Sequence, residues 1–180
     1  MRLFIAVNLT EPTRRALSEL QGELKQSAIR GSFTPPQNLH LTLAFLGECG
    51  EAQAEAAKEA MMELDHGSFS IEIDRLGRFR WDDGDIWWAG VRENACLRGL
   101  QADLTDQLSV RGFTLEVRAY TPHITLARRV TGDMEEKTVS PFGETVTKIH
   151  LMKSEHIGGR LSYTPVWEKG LAQRGGSAPS

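Results

Sequence analysis

Hydrophobic and polar residues alternate along residues 40–46, in the order His-Leu-Thr-Leu-Ala-Phe-Leu. Strict alternation is typical of a strand that is buried on one face. On such a strand His40 and Thr42 share one face, and the aliphatic residues between them point into a core. Nearly the same order returns in residues 123–128, as His-Ile-Thr-Leu-Ala-Arg. The pattern therefore predicts two strands that each present an imidazole and a hydroxyl from a rigid element.

Three stretches with apolar residues at helical spacing predict amphipathic helices. The first follows Thr10, the expected N-cap, and runs to about residue 28. The second covers residues 51–64. The third follows Asn94, another expected N-cap, and its apolar stripe consists of Leu97, Leu100, Leu104 and Leu108.

Further strands are predicted where apolar runs lie between turn residues. They cover residues 3–7, 69–76, 78–81, 86–91, 113–117, 145–153 and 161–167, with turns at residues 82–85 and 158–159. Residues 31–38 and 131–142 predict loops, because they are rich in polar residues and proline. Each half of the chain thus holds strands, a helix and one histidine strand, which indicates a weak internal duplication.

The composition is that of an ordinary soluble globular protein, with 40% hydrophobic and 25% charged residues among 180. We expect residues 1–172 to form one bilobal domain and residues 173–180, rich in Gly, Ser, Ala and Pro, to be a disordered tail. The apolar run at residues 1–7 is too short for a signal peptide, so a cytoplasmic protein is expected. Cys49 and Cys96 have no CxxC spacing and are interpreted as reduced thiols.

Two histidines can supply a general acid and a general base in one step. The ordinary pKa of an imidazole is about 6.5, so at neutral pH one ring can accept a proton while a second, charged ring donates one. The paired threonine adds a hydroxyl that can hold an anionic oxygen. This combination suits an in-line displacement at phosphorus.

The other histidines have no such partner, and His66, His150 and His156 are interpreted as helix-end or surface residues. A zinc site built from His40, His123 and one of these three lacks an accompanying carboxylate or thiol pattern.

Two further groups receive structural interpretations. Arginines that could extend a phosphate-binding rim are interpreted as solvated surface charge; these are Arg75, Arg78, Arg80 and Arg129. Tryptophans around the predicted hairpin are interpreted as core and cross-strand packing rather than as a base-stacking surface; these are Trp81, Trp87 and Trp88.

The two motifs, residues 40–47 (HLTLAFLG) and 122–128 (PHITLAR), resemble the two His-x-Thr-x motifs of the two-histidine (2H) phosphoesterases. Within that superfamily the chain is most similar to LigT-like bacterial RNA 2′,3′-cyclic phosphodiesterases, also called 2′-5′ RNA ligases. Residues 2–6 (RLFIA) resemble that family's opening strand, and residues 159–165 (GRLSYTP) resemble its closing hairpin.

The resemblance implies an α+β fold with a pseudo-twofold duplication, in which two antiparallel sheets face each other across a central groove and helices pack outside. The implied activity is hydrolysis of a 2′,3′-cyclic phosphate at an RNA end to a 2′-phosphate, with no metal or other cofactor. The same groups would serve the reverse 2′-5′ RNA ligation.

The resemblance also implies a role for each matching residue. His40 would donate a proton to the departing 3′ oxygen, and His123 would be the base that activates water. The remaining residues would bind the substrate: Thr42 and Thr125 its non-bridging oxygens, Arg128 the charge on phosphorus and Phe45 the terminal base.

Two alternatives to RNA-end hydrolysis stay open. A formal net charge of −3 argues against non-specific binding to long nucleic acid, and it suits a small cyclic nucleotide phosphate at least as well as a long RNA. A protein that binds RNA ends without turnover is the second alternative, although such a protein would not need two titratable groups. In each case the expected partner is an RNA 3′ end or nucleotide that bears a 2′,3′-cyclic phosphate, and we expect a monomer with no membrane association.

Overall fold

The computed structural model describes residues 1–116 and 118–173 of the chain. The strands are β1 (Arg2–Asn8), β2 (Ala28–Phe33), β3 (His40–Glu48), β4 (Phe69–Phe79), β5 (Asp85–Val91), β6 (His123–Gly132), β7 (Lys137–Val146), β8 (Lys148–Ile157) and β9 (Arg160–Gly170). The helices are α1 (Glu11–Ser27), α2 (Glu51–Met62) and α3 (Ala95–Ser109), and Pro36–Asn38 form a 3₁₀ turn. Within the described ranges, no helix is long and apolar enough to cross a membrane.

The strands form two antiparallel sheets, which confirms the predicted α+β fold class. The first sheet has the order β3-β1-β8-β9, and the second has the order β2-β6-β5-β4-β7. The two histidine strands, β3 and β6, belong to different sheets and approach each other where the sheets meet. The fold therefore brings the two motifs together from opposite sides.

Buried apolar residues from both sheets and all three helices form one core. The leucine stripe predicted for α3 is fully buried in it, with Leu97, Leu100, Leu104 and Leu108 at most 1% exposed. A smaller cluster of Phe4, Ala6 and Met152, with Tyr163 packed against it, is separate from this core. This smaller cluster lies on the face of the first sheet that carries His40. Its apolar residues therefore belong to the surroundings of the site and not to the main core.

The three predicted helices are confirmed, and one of the two predicted N-caps is confirmed with them. The side chain of Asn94 accepts a hydrogen bond of 3.0 Å from the backbone N–H of Leu97. Thr10 stands at the N-cap position of α1, but its side chain makes no capping bond. Its hydroxyl and N–H donate instead to the carboxylate of Glu144, at 3.0 and 2.9 Å, which ties the start of the helix to β7.

The loop predicted over residues 131–142 is largely wrong, and the loop predicted over residues 31–38 is wrong for residues 31–33, because edge strands occupy these positions. β2 covers residues 28–33, and most of residues 131–142 belong to the end of β6 and to β7. β2 and β7 lie at the two edges of the second sheet, and both are exposed over most of their length, so neither shows an alternating apolar pattern. Pro141 lies where the ladder to β4 is interrupted, and there its missing N–H removes no cross-strand bond.

Smaller differences affect strand ends. The two strands predicted over residues 69–81 form a single strand, β4, and residues 145–146 belong to β7 rather than to β8. Residues 113–116 of the predicted strand 113–117 are not in a strand. Val117 and residues 174–180 of the predicted tail lie outside the described residues.

Each half of the chain donates hydrogen bonds to the histidine strand of the other half. Gln21 of α1 donates through Nε2 to the carbonyl of Leu126, at 2.9 Å, and to that of Thr34, at 2.8 Å. Gln101 of α3 donates in the opposite direction to the carbonyl of Leu43, at 3.3 Å. Leu43 and Leu126 occupy the same position in the two motifs, so the two glutamines play matching parts.

Two hydroxyls also donate hydrogen bonds from one half of the chain to the motif of the other, one residue earlier in each motif. Thr34 donates to the carbonyl of Thr125 at 3.1 Å, and Tyr120 donates to the carbonyl of Thr42 at 2.9 Å. We refer to the bonds from these hydroxyls and from the two glutamines to the motifs as the crossed hydrogen bonds. They hold the backbone of each motif against the half of the chain that carries the other.

Replacing Gln21 with Met tests the contribution of these bonds to stability. The substitution keeps the side-chain volume and removes the donors, so the buried carbonyl of Leu126 and the half-buried carbonyl of Thr34 each lose a partner. We expect it to lower the free energy of unfolding by about 1–3 kcal/mol, measured by urea denaturation. Gln26→Met on the exposed face of the same helix should change it by less than about 0.5 kcal/mol. Equal effects from the two substitutions would contradict the assignment.

Candidate active site

The two histidine strands have the same burial pattern over their first six residues. The histidine and the threonine are half-buried, the aliphatic residues and the alanine are buried, and the sixth residue is exposed. The sixth residue is Phe45 in β3 and Arg128 in β6. The sequence repeat is therefore a structural repeat.

Both strands contain an extra residue at the same position of the motif. Adjacent residues of β1 pair with positions 42 and 44, so Leu43 has no partner. Adjacent residues of β5 pair with positions 125 and 127, so Leu126 has no partner. Such a bulge shifts the alternation of side chains by one residue. Phe45 and Arg128 therefore share the face of the histidines, whereas uninterrupted alternation would turn them to the core.

The His40 ring is held by a backbone hydrogen bond and two aromatic rings. Its Nδ1 lies 2.7 Å from the carbonyl oxygen of Asn38, which can only accept, so Nδ1 carries a proton and donates. Nε2 is then the nitrogen that titrates, and the hydroxyl of Thr42 lies 2.9 Å from it. The rings of Phe4 and Tyr163 have centroids 5.0 and 5.1 Å from that of the imidazole.

His123 is held in the same way in the other sheet. Its Nδ1 donates to the carbonyl of Thr121 at 2.7 Å, which again leaves Nε2 to titrate. The rings of Phe79 and Trp88 lie 5.1 and 6.0 Å from it. The contact of His123 with Phe79 has an interplanar angle of 86°, the same as that of His40 with Tyr163. The two rings thus have matching backbone and aromatic partners, but among the described residues Nε2 of His123 has no counterpart to the bond between His40 and Thr42.

The electrostatic environment lowers the pKa of both histidines below 6.5. Burial is the main cause for each ring, and the backbone bond at Nδ1 opposes it. The positive charge of Arg128 lowers both pKa values further, and His123 adds to the effect on His40. One guanidinium therefore acts on both imidazoles, which places the two rings and Arg128 at a common site.

The backbone turns sharply just after Arg128. Arg129 has φ of 53°, and it is the single non-glycine residue with positive φ in the described part of the chain. The pairing of β6 with β5 is irregular again at this point. A left-handed conformation costs roughly 1–2 kcal/mol for such a residue. This strained position adjoins the arginine that faces both histidines.

Phe45 and the three other histidines lie in different parts of the structure. Phe45 is 68% exposed beside Phe4, at a centroid distance of 6.3 Å, so one of its faces is open. His66 contacts Asp103 between α2 and α3, and His156 is exposed, in agreement with their structural interpretation. His150 differs from its interpretation, because it is half-buried within β8 opposite Ala6.

The tryptophans also have distinct positions. Trp87 is fully buried, which confirms its place in the core, whereas Trp81 is 60% exposed and is not part of it. Trp88 packs beside His123 in the site. The ring of Trp88 lies flat against β4 because Gly77 has no side chain, and a Cβ there would come within 2.3 Å of the ring.

Sequence reasoning did not identify the aromatic rings that hold the histidines. Tyr163 belongs to residues 159–165, which carry the family resemblance, so a signal for it existed. Phe4 likewise belongs to residues 2–6, which also carry the resemblance, whereas Phe79 belongs to a strand with an ordinary apolar pattern and gave no signal. Cys49 is buried and Cys96 exposed, both as free thiols. No group of three or more His, Cys, Asp or Glu side chains in residues 1–116 and 118–173 is arranged to hold a metal ion.

Comparisons with known proteins agree with this geometry. The family model described as "LigT like Phosphoesterase" matches residues 7–88 and 91–163. The RNA 2′,3′-cyclic phosphodiesterase of Escherichia coli K12 is 31% identical over 183 residues, covering 92% of this chain and 100% of that protein. The protein of the same name from Geobacillus stearothermophilus is 35% identical over 133 residues, covering 72% of this chain but 42% of that protein.

Solved structures give the same result over nearly the whole chain. The apo form of E. coli LigT has a TM-score of 0.81 at 27% identity and covers 96% of this chain and 98% of its own. The Thermus thermophilus protein TT0787 has a TM-score of 0.83 at 28% identity, with 97% and 100% covered. The fold and the paired motifs define a phosphoesterase of the two-histidine type, and this chain belongs to the LigT-like phosphoesterase family.

Removing the charge of Arg128 tests whether one guanidinium acts on both rings. Because that charge lowers both pKa values, we expect Arg128→Gln to raise the pKa of His40 and of His123. Titration of the histidine ring signals by NMR measures both. Arg15→Gln, which removes the same charge from an exposed position on α1, should leave them unchanged. A change in the pKa of only one ring would show that Arg128 does not act on both histidines.

Proposed function

We propose that this protein hydrolyses 2′,3′-cyclic phosphates at RNA 3′ ends to 2′-phosphates, as a monomer in the cytoplasm. The observation that carries the proposal is the pair of imidazoles under the influence of Arg128, each with Nδ1 engaged by a backbone carbonyl so that Nε2 is the nitrogen that titrates. The names of the relatives support the same reaction, and E. coli LigT has been solved with 3′-AMP and with phosphate.

The reaction requires one proton to be removed from the attacking water and one to be donated to the departing oxygen. In the proposed reaction, Nε2 of His123 accepts a proton from water as its oxygen bonds to phosphorus. Nε2 of His40 gives its proton to the 3′ oxygen as the bond from that oxygen to phosphorus breaks, which leaves a 2′-phosphate. The backbone bonds at Nδ1 keep both rings oriented for this exchange. With the roles reversed, the same groups support 2′-5′ ligation.

The assignment of acid and base follows the family resemblance, because the two motifs are too alike for their residues to decide it. The hydroxyls of Thr42 and Thr125 share the face of their histidines and are proposed to bind the non-bridging oxygens. Arg128 stabilises the negative charge at phosphorus. Phe45 has the exposed ring needed to stack on the terminal base. In this scheme acid, base and charge stabilisation all come from side chains.

Replacing either histidine tests the proposal directly. We expect His40→Gln and His123→Gln each to reduce kcat on adenosine 2′,3′-cyclic phosphate by about 10²–10⁴-fold, because each removes a proton-transfer group. His156→Gln, at an exposed position of β8, should retain full activity. Chromatography of the products should show the 2′-phosphate. Undiminished activity in both variants would reject the mechanism, and binding of cyclic-ended RNA by the unmodified protein without any product would favour a non-catalytic binder.

The pH dependence of kcat/KM gives an independent test. The active free enzyme holds one protonated and one neutral imidazole, so kcat/KM follows a bell between their two pKa values. Both pKa values are lowered from 6.5, and we therefore expect the maximum of kcat/KM to lie below pH 6.5. Arg128→Gln should move this maximum to higher pH. A profile that is flat between pH 5 and 9 would contradict two-imidazole catalysis.

A further inference from the structure

Arg75 lies in the same cross-strand row as His123. It pairs with Gly90 of β5, and Gly90 pairs with His123 of β6. Side chains of directly paired residues point to the same face of a sheet. Arg75 therefore shares the face of the second sheet that carries the candidate site.

The missing side chain of Gly90 lets Arg75 reach toward the histidine. A Cβ at position 90 would come within 2.7 Å of Cγ and 2.8 Å of Cζ of Arg75, so the arginine side chain lies directly over the glycine. Paired Cβ atoms are about 4.5–5.5 Å apart, which places the guanidinium carbon no more than about 8 Å from Cβ of His123.

The guanidinium is supported but not fully engaged. Its Cζ lies 5.7 Å from the centroid of the Trp88 ring, and its Nη1 donates to the carbonyl of Val91 and to Asp74, both at 3.3 Å. Asp74 also lies 3.7 Å from Arg92, so its charge is shared between two arginines. Within the described residues, Nε and Nη2 of Arg75 have no hydrogen-bond acceptor, and the side chain is 40% exposed.

Another arginine of the same strand shows the contrast. Arg78 packs over the core residue Trp87 at 5.2 Å, and its guanidinium lies 3.5 Å from Asp85 and 3.9 Å from Glu136. Its side chain is 17% exposed. Arg78 is therefore held by structural contacts on the other face of the sheet. Arg75, by contrast, has two guanidinium nitrogens beside the site without an acceptor among the described residues.

We propose that Arg75 binds the phosphodiester on the 5′ side of the terminal nucleotide, so that the site prefers an oligonucleotide to a mononucleoside cyclic phosphate. This inference rests on the proposed function. With the cyclic phosphate between His40 and His123, Arg128 is committed to the reacting phosphorus. An RNA brings a second phosphate to the same groove, and a guanidinium with two open donors matches two phosphate oxygens. A free 5′-phosphate on a mononucleotide offers the same oxygens to the guanidinium as a phosphodiester of RNA. Comparing a 5′-phosphorylated nucleoside with a dinucleotide separates these two ligands.

The test compares three substrates: adenosine 2′,3′-cyclic phosphate, its 5′-phosphorylated form, and the dinucleotide ApA ending in a 2′,3′-cyclic phosphate. We expect Arg75→Gln to lower kcat/KM on the dinucleotide about ten-fold, mainly by raising KM, because one charge-assisted contact is lost. Activity on the unphosphorylated nucleoside should stay within about two-fold. Arg75→Lys keeps the charge and should lie between Arg75→Gln and the unmodified protein, and Arg15→Gln should match the unmodified protein on all three substrates.

Each remaining outcome overturns the inference. Equal losses on the dinucleotide and the unphosphorylated nucleoside would show that Arg75 acts through Trp88 on the site as a whole. Equal activity of Arg75→Gln and the unmodified protein on the dinucleotide would show that no contact exists. A loss on the 5′-phosphorylated nucleoside without a loss on the dinucleotide would assign the position to a free 5′-phosphate. Failure of the unmodified protein to hydrolyse any of the three would instead reject the proposed function.

Discussion

The site depends on one extra residue in each histidine strand. Leu43 and Leu126 have no partner across the ladder, so the strand resumes its alternation one residue out of step. Each leucine and the alanine after it are then buried in succession, and the next side chain returns to the histidine face. In a regular strand the guanidinium of Arg128 would point into an apolar core, where burying an unpaired charge is prohibitive. The bulge is therefore what brings a cation to the imidazoles.

Backbone carbonyls at and just before each bulge accept the crossed hydrogen bonds, and that of Leu126 also accepts from the backbone N–H of Thr34 at 2.9 Å. The carbonyls of the bulged leucines accept from Gln21 and Gln101, and those of the preceding threonines accept from Thr34 and Tyr120. Every donor belongs to the half of the chain opposite its acceptor. The backbone of each motif is therefore held by both halves of the chain. The relative position of the two histidines is a property of the docked pair, which explains why a duplicated motif works here as a single site.

Sequence patterns predicted the elements that face the core and missed those that do not. The stripe of α3 and the start of β3 and β6 follow from burial on one face, which leaves a period in the sequence. β2 and β7 are exposed edge strands and leave none. The bulges cannot be read from alternation, so the roles of Phe45 and Arg128 came from the family resemblance alone and their orientation was not predicted. The partners of Gln21 and Gln101 lie in the other half of the chain, and no local pattern encodes them.

The free site favours neutral histidines, so the proposed chemistry requires a source of negative charge before one of them is protonated. Burial and Arg128 both oppose a charge on the rings, so protonating Nε2 of His40, the proposed acid, is unfavourable until negative charge arrives. A phosphate bound between the rings supplies that charge and offsets the positive field of Arg128. In the proposed mechanism, the residue that lowers the pKa values in the free enzyme is also the one that holds the anion which restores them. Protonation of the acid is coupled to occupancy, so the catalytic state is favoured when a substrate is present to use it.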